Sequence, residues 1–444
     1  MKRLPLAPIL TLVLLVFPAA SAGAGSSGSD SATAVWGQPN FISSRCLTPS
    51  SITLCGPSQT AVDSEGNLWV VDFDDNRVLM YPPGSAIASK VFGQYGSFTS
   101  KGCNQRPPAG SHYPSAPNRH TLCQPFGVAI DPQGTLYIAD SINNRVLVYF
   151  HAAHKPPAAP ADLLLGQSTF SSTASNDVQA GGAGAYRCPS PRPASRCTLN
   201  SPMELSIDPD GDLLVPDVDN HRVLLWSASV LAHVKPAACS RRCFIPASRV
   251  WGQYGSFRTN TPNNPAIPAG ASSRCTAITY ETPASACTLR SPSAAIADVQ
   301  GDLFVADTSN NRVLEYSQAL STGRQDATVV YGQSGNFRSA GGNVEGVSAI
   351  SLWHPLGLAF GPDGHLWVSD FYNMRVLGYP APGAAGSTSA VQVLGQRSSL
   401  ETNHCAVFAD TLCGPTSIAF DAQGHAFVSD GLNSRVLEFF AHGS

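Results

Sequence analysis

The stretch DSINNRVLVY, residues 140–149, is one of six versions of the same ten residues. The others are DFDDNRVLMY from Asp72, DVDNHRVLLW from Asp217, DTSNNRVLEY from Asp307, DFYNMRVLGY from Asp370 and DGLNSRVLEF from Asp430. The shared frame is Asp, two variable residues, Asn or Asp, one variable residue, then Arg-Val-Leu, with an aromatic two residues after the Leu. Successive copies start between 60 residues (Asp370 to Asp430) and 90 residues (Asp217 to Asp307) apart. Self-similarity of this kind marks one supersecondary unit used many times, and it overrides any domain count taken from length.

Working outward from residue 140, the unit reads as four strands. PFGVAIDPQG, from Pro125, is a short apolar run that ends in a turn. TLYIAD alternates as a half-buried strand does, and SINN is the next turn. RVLVYF is a third strand, and DLLLGQ, ending at Gln167, is a fourth. The opening Pro occurs in all six copies (Pro57, Pro125, Pro202, Pro292, Pro355, Pro415), as does the Gly of the first turn (Gly66, Gly134, Gly211, Gly301, Gly364, Gly424). A Gly-Gln pair also occurs six times, beginning at Gly37, Gly93, Gly166, Gly252, Gly332 and Gly395. No segment sustains helical periodicity. Six units of four antiparallel strands predict an all-β fold, a six-bladed β-propeller. The last unit stops after its third strand, RVLEFF, whereas the chain opens on an unpaired fourth strand, AVWGQ, at Ala34–Gln38. The N-terminal strand is expected to complete the last blade, leaving no open sheet edge.

The frame Pro-x-Gly-x-Ala-x-Asp, Gly-x-Leu-x-Val-x-Asp, Asn-x-Arg-Val resembles the NHL repeat, over essentially the whole mature chain. The resemblance implies a six-bladed propeller, here of an exported bacterial type. It leaves function open, since NHL propellers include interaction modules, RNA-binding modules and peptidyl-hydroxyglycine amidating lyases.

The chain has 444 residues, a formal net charge of -3 and 13% charged residues. Phosphate binding needs concentrated Lys and Arg, so nucleic acid is an unsuited partner. Residues 1–22 read as a signal peptide: MKR, the apolar run LPLAPILTLVLLVF, and the small residues ASA, with cleavage expected after Ala22. Its loss would take the net charge to about -5. Residues 23–33 read as a Gly/Ser-rich tether and 34–444 as a single propeller. The expected product is a secreted or extracytoplasmic monomer with no membrane span, and the lack of an Asn-x-Ser/Thr sequon favours a bacterial source. Twelve cysteines fall in close pairs: Cys46/Cys55, Cys103/Cys123, Cys188/Cys197, Cys239/Cys243, Cys275/Cys287 and Cys405/Cys413. Without Cys-x-x-Cys knuckles they read as disulfides rather than zinc ligands.

Function is asymmetric, and a motif present in every blade is structural. The pairs Asp72/Arg77, Asp140/Arg145, Asp217/Arg222, Asp307/Arg312, Asp370/Arg375 and Asp430/Arg435 are therefore read as turn-locking ion pairs. The Asp is expected to accept from amides of the turn that follows it, and the Asn or Asp three residues later to suit a left-handed or Asx conformation. Each Gly-Gln amide is expected to bond neighbouring backbone, and Phe41, Phe98, Phe170, Phe257 and Phe337 to pack under the next loop.

Function is expected where the repeats differ. The Asp-to-Arg turns and the Cys-bearing loops should share one face, with the longest loops at 168–201 and 254–291. The residues two after each Pro are Gln59, Gly127, Glu204, Ala294, Gly357 and Ser417. They should lie near the mouth of the central channel, with Gln59, Glu204 and Ser417 its polar members. Glu204 is the one carboxylate a channel Ca²⁺ would meet, although hard cations want several oxygens. His354 stands where the other blades have Gly56, Gln124, Ser201, Ser291 and Gly414. The multi-histidine zinc site of the amidating lyases is thus not in the sequence, and the Ca²⁺ pattern of gluconolactonases and paraoxonases is not matched. No cofactor is assigned. The reading is a binding or scaffold module that uses its disulfide-stapled loop face toward an extracellular protein, glycan or small ligand. The alternative is a Ca²⁺- or Zn²⁺-dependent propeller hydrolase or lyase with Glu204 and His354 in a channel site.

Overall fold

The computed structural model describes residues 31–105, 116–177, 194–234, 243–264, 266, 275 and 284–440. Six four-stranded antiparallel sheets run through them. Blade 1 holds β2 (Pro57–Val62), β3 (Leu68–Asp72), β4 (Arg77–Tyr81) and β5 (Lys90–Phe92). Blade 2 holds β6 (Pro125–Ile130), β7 (Leu136–Asp140), β8 (Arg145–Tyr149) and β9 (Leu163–Leu165). Blade 3 holds β10 (Ser206–Ile207), β11 (Leu213–Asp217), β12 (Arg222–Trp226) and β13 (Arg249–Trp251). Blade 4 holds β14 (Ala294–Ala297), β15 (Leu303–Asp307), β16 (Arg312–Tyr316) and β17 (Val329–Tyr331). Blade 5 holds β18 (Pro355–Phe360), β19 (Leu366–Asp370), β20 (Arg375–Tyr379) and β21 (Gln392–Leu394). In blade 6, β22 (Pro415–Phe420), β23 (His425–Asp430) and β24 (Arg435–Phe440) are completed by β1 (Ala34–Trp36). The inner strands β2, β6, β10, β14, β18 and β22 follow one another around a closed ring.

Closure runs as the sequence predicts. β1 pairs antiparallel with β24 in the register Ala34↔Glu438, Val35↔Leu437, Trp36↔Val436. The flanking residues extend the join: the Gln38 side chain donates to the Ser434 carbonyl at 2.9 Å, and the Trp36 indole crosses to the Ser85 carbonyl in blade 1.

The second strand is not half-buried, as its alternation implied. All five residues of β7 are buried, and so are those of β3, β11, β15 and β19. Neighbouring blades cover both faces of each sheet, so both side-chain sets enter the core. The repeat aromatics Tyr81, Tyr149, Trp226 and Tyr316 are fully buried. Burying such a side chain stabilises by roughly 1.5–3 kcal/mol. The Gly of each Gly-Gln pair lets the next blade's loop close in. Gly166 has φ +89°, and a Cβ there would lie 2.5 Å from Leu199 Cδ1.

The six ion pairs are fully buried, with Arg Nε 2.7–2.8 Å from the Asp Oδ2 in every blade. Their wiring corrects one expectation and refines a second. Asp Oδ1 accepts from the backbone of the loop before the inner strand, as in Cys123 N to Asp140 Oδ1 at 2.7 Å, and not from the turn that follows. A carboxylate facing the strand end reaches that loop, so the Asp anchors it. The left-handed residue is the fourth after the Asp, not the third: Asn76, Asn144, His221, Asn311, Met374 and Ser434 all have φ between 52° and 56°. The third is occupied by the 3₁₀ turn, and in blades 2 to 6 its Asn side chain donates to the same Asp. The guanidinium also donates to loop carbonyls, Phe170 and Thr121 in blade 2. Five donors in a fixed fork satisfy what a lysine could not.

The left-handed residue also joins blades. Asn144 Oδ1 accepts from Ser201 N, Asn311 Oδ1 from His354 N, and Met374 Sδ from Gly414 N. Each Gly-Gln amide bonds backbone, as in Gln167 Nε2 to the Asn144 and Ala174 carbonyls. Disulfides Cys46–Cys55, Cys103–Cys123, Cys275–Cys287 and Cys405–Cys413 hold the loops. Cys197 and Cys243 are also disulfide-bonded, while Cys188 and Cys239 lie outside the described residues. So do the segment read as a signal peptide, most of the one read as a tether and the central parts of both long loops. Among the described residues no helix is long and apolar enough to cross a membrane.

Candidate functional site

Two places break the sixfold pattern. The first is on the face that carries the Asp–Arg turns and the Cys-bearing loops. There the residues around the Asp370 knot are aromatic. Asp370 Oδ1 holds Trp353 N at 2.7 Å, and Trp353 O in turn accepts from Tyr372 N at 3.2 Å. These two bonds bring the pre-strand loop against the 3₁₀ turn. The Trp353 and Tyr372 rings lie 5.2 Å apart, Tyr372 and His354 4.9 Å, and Tyr372 and Phe371 5.1 Å. Trp353 and Tyr372 are each 42% exposed. The cluster reaches blade 6 because position 414 is Gly. A Cβ there would lie 2.7 Å from Leu432 Cγ and 2.9 Å from Phe371 Cε2, and Leu432 is itself 58% exposed.

His354 belongs to this patch. It takes the left-handed conformation, φ +60°, shared by every residue that precedes the opening Pro. Burial pushes its imidazole below the ordinary value. The neutral ring adds a flat polar edge to the three aromatic faces without adding charge.

The second place is the central channel. Gln59 crosses it: Oε1 accepts from Val128 N at 2.7 Å and Leu205 N at 2.9 Å, and Nε2 donates to Leu205 O. One side chain thereby ties blade 1 to blades 2 and 3. Glu204 crosses in the other direction and accepts from the Leu358 backbone of blade 5. Its Oε2 has no hydrogen-bond partner, and the residue is 5% exposed. Burial pushes the carboxyl well above its ordinary range, and the Leu358 amide only partly offsets this. Gly127 and Gly357 leave no room at this level, since a Cβ at Gly127 would lie 2.1 Å from Met203 O. Ser417 is taken up between blades, where its hydroxyl accepts from Thr60 N.

Glu204 projects because its strand is interrupted. β10 pairs with β11 only at Ser206↔Leu214 and Ile207↔Leu213, with a lone bridge from Pro202 to Asp217. The residue opposite Glu204 is Pro216, which has no N–H to donate. The Pro216 carbonyl accepts from Met203 N, and Glu204 N donates to Ser293 O in blade 4.

The structure does not bring Glu204 and His354 together. His354 lies on the aromatic face, four residues before Leu358, which is roughly 13 Å of extended strand. Among the described residues, the one three-residue cluster at metal-ligand spacing is Cys46, Cys55 and Asp74, and both of its sulfurs are spent in a disulfide. The aromatic cluster was missed in the sequence. Its signal was the pair of aromatics at Trp353 and Tyr372, positions where the other blades place no aromatic residue.

A family profile described as the NHL repeat matches residues 122–149 and 352–379. No curated protein is similar in sequence. Three solved structures are similar at low identity. A streptogramin B lyase has 11% identity and a TM-score of 0.39, over 89% of this chain and 95% of that one. The hydrazine synthase of Kuenenia stuttgartiensis has 9% identity and a TM-score of 0.46, over 88% and 97%. An auxiliary nutrient binding protein from Bacteroides thetaiotaomicron has 10% identity and a TM-score of 0.46, over 87% and 69%. Two profile-matched repeats, four more copies in the same frame and a ring of six four-stranded blades identify the chain as an NHL-repeat β-propeller.

Proposed function

We propose that this protein is exported and acts outside the cytoplasm as a recognition module, with the disulfide-stapled loop face as its binding surface. The observation that carries this reading is the cluster of Trp353, His354, Phe371 and Tyr372, half-exposed on the loop face, with Leu432 exposed beside it. Rigid aromatic rings supply contact area at little cost in conformational entropy, and they anchor interfaces for that reason. Their lack of charge suits the apolar faces of sugars or uncharged side chains of a protein partner. The disulfides support action in an oxidising compartment. A channel-metal hydrolase is less well supported, because the Gln59 amide beside Glu204 is committed to backbone.

The test is a comparison of wild type with the Trp353→Ala/Tyr372→Ala double variant. Both are applied to arrays of surface glycans and to immobilised extracellular proteins. The reading expects ligands that the wild type holds and the variant binds at least about tenfold more weakly, the loss of one to two anchor side chains. Equal binding by the two proteins would place recognition elsewhere.

A further inference from the structure

The channel widens below Gln59 and Glu204 into a cavity of ≈ 250 Å³. Its walls are the later halves of the inner strands, among them Ala61, Ile130, Ile207, Ile296 and Phe420. Pro57 pairs with Asp72 at the aromatic face, and Val62 pairs with Leu68 at the far end of the same strand. The cavity therefore lies toward the face opposite the aromatic cluster, and the Gln59–Glu204 level separates the two.

The chemistry of this cavity is uneven. Its side chains are mostly Ala, Val, Ile, Leu and Phe, with the Thr60 hydroxyl turned to Ser417 and the Phe427 carbonyl. The Gln59 amide at the floor is satisfied by Leu205 and Val128, and the Ser206 hydroxyl by Ala295 O at 2.5 Å. What remains among the side chains is Glu204 Oε2, unpartnered and at least nine-tenths buried. No Arg, Lys, His or second acid lines the space. Burial favours the neutral carboxylic acid. A proton carried on Oε2, which has no hydrogen-bond partner, makes it a donor without an acceptor. An unmet buried donor is costly, and a ligand that supplies the missing acceptor gains that energy on binding.

We propose that this cavity is a second binding site, for a compact uncharged molecule. The apolar body of the ligand lies against the Ile and Ala walls, and a carbonyl or ether oxygen accepts from Glu204. The site is independent of the loop-face reading and stands on the opposite face.

Cyclohexanone and ε-caprolactam are suitable probes, with cyclohexylammonium as the charged control. Saturation-transfer NMR on the full mature protein reads their binding. The proposal expects saturable binding of both neutral probes, with a Kd on the order of 1 mM for molecules of this size, and no binding of the ammonium at comparable concentration. Glu204→Gln keeps a donor and an acceptor and is expected to bind within a few-fold of wild type. Glu204→Leu and Ile296→Trp, which remove the donor and fill the cavity respectively, are expected to bind at least about tenfold more weakly. Absence of saturable binding to the folded wild type overturns the proposal, and this arm needs no variant to fold. Wild-type-like binding by either Glu204→Leu or Ile296→Trp overturns it too, as does preference for the ammonium.

Discussion

At the scale of single residues, the six Asp–Arg knots are one device with one irregular member. Blades 2 to 6 place Asn143, Asn220, Asn310, Asn373 and Asn433 against the buried Asp, and each donates to it. Blade 1 has Asp75 instead, 3.5 Å from the Arg77 guanidinium. Asp72 is pushed up to about 7, because burial and the Asp75 charge raise it more than Arg77 draws it down. The folded value then lies above the ordinary 3.8. A raised acid holds its proton more tightly in the folded state, so this group's contribution to stability declines as pH rises from about 4 through 7. Asp75→Asn restores the pattern of the other five blades and removes the second acid. It is expected to stabilise by about 1–2 kcal/mol at pH 8 and by much less at pH 5. Denaturant unfolding at the two pH values reads the difference, and an equal gain at both would show that the Asp72 titration is not its source.

At the scale of elements, each knot fastens a loop to a strand end. The Arg222 guanidinium donates to the Phe257, Ser195 and Thr198 carbonyls as well as to Asp217. Arg222→Met leaves a buried carboxylate and three carbonyls without their donor. Breaking a buried pair from one side costs about 3–5 kcal/mol, and a loss of that size in the unfolding free energy is expected. A loss below about 1 kcal/mol, the range of exposed pairs, would mean that the knot does not hold the blade.

The strands, turns and closure were legible in the sequence because Pro, Gly, Asp and Arg recur at fixed places, and each recurrence has a backbone reason. The aromatic cluster was not legible as a cluster. Trp353 and Tyr372 lie on separate segments, and they meet only through the bonds of Asp370 and the Trp353 carbonyl. The reach of Glu204 was half-legible. Pro216 stands inside the run LLVPD, where a central strand should not carry proline, and the strand it would have paired with is the one that breaks. The repeat marked Gln59 and Ser417 as variable positions, but not that Gln59 spans the channel while Ser417 turns into a blade junction.

At the scale of the whole molecule, the ring keeps two different surfaces apart. The aromatic cluster lies at one end of the channel axis and the Glu204 cavity toward the other, and the disc between them is held by blade-to-blade packing. That packing is circular, so it depends on β1. Three strand residues, the Gln38–Ser434 bond and the Trp36–Ser85 bond join the chain's beginning to its last blade and to its first. Without them β24 becomes an open, apolar edge. The measurement that tests this closure most directly is calorimetric melting of the mature chain against one that begins at Pro39, with light scattering to follow association. The account predicts a melting temperature lower by on the order of 10 °C and new self-association through the exposed β24 edge. A truncated chain that melts at the mature temperature and stays monomeric would contradict the closed ring on which both proposed sites depend.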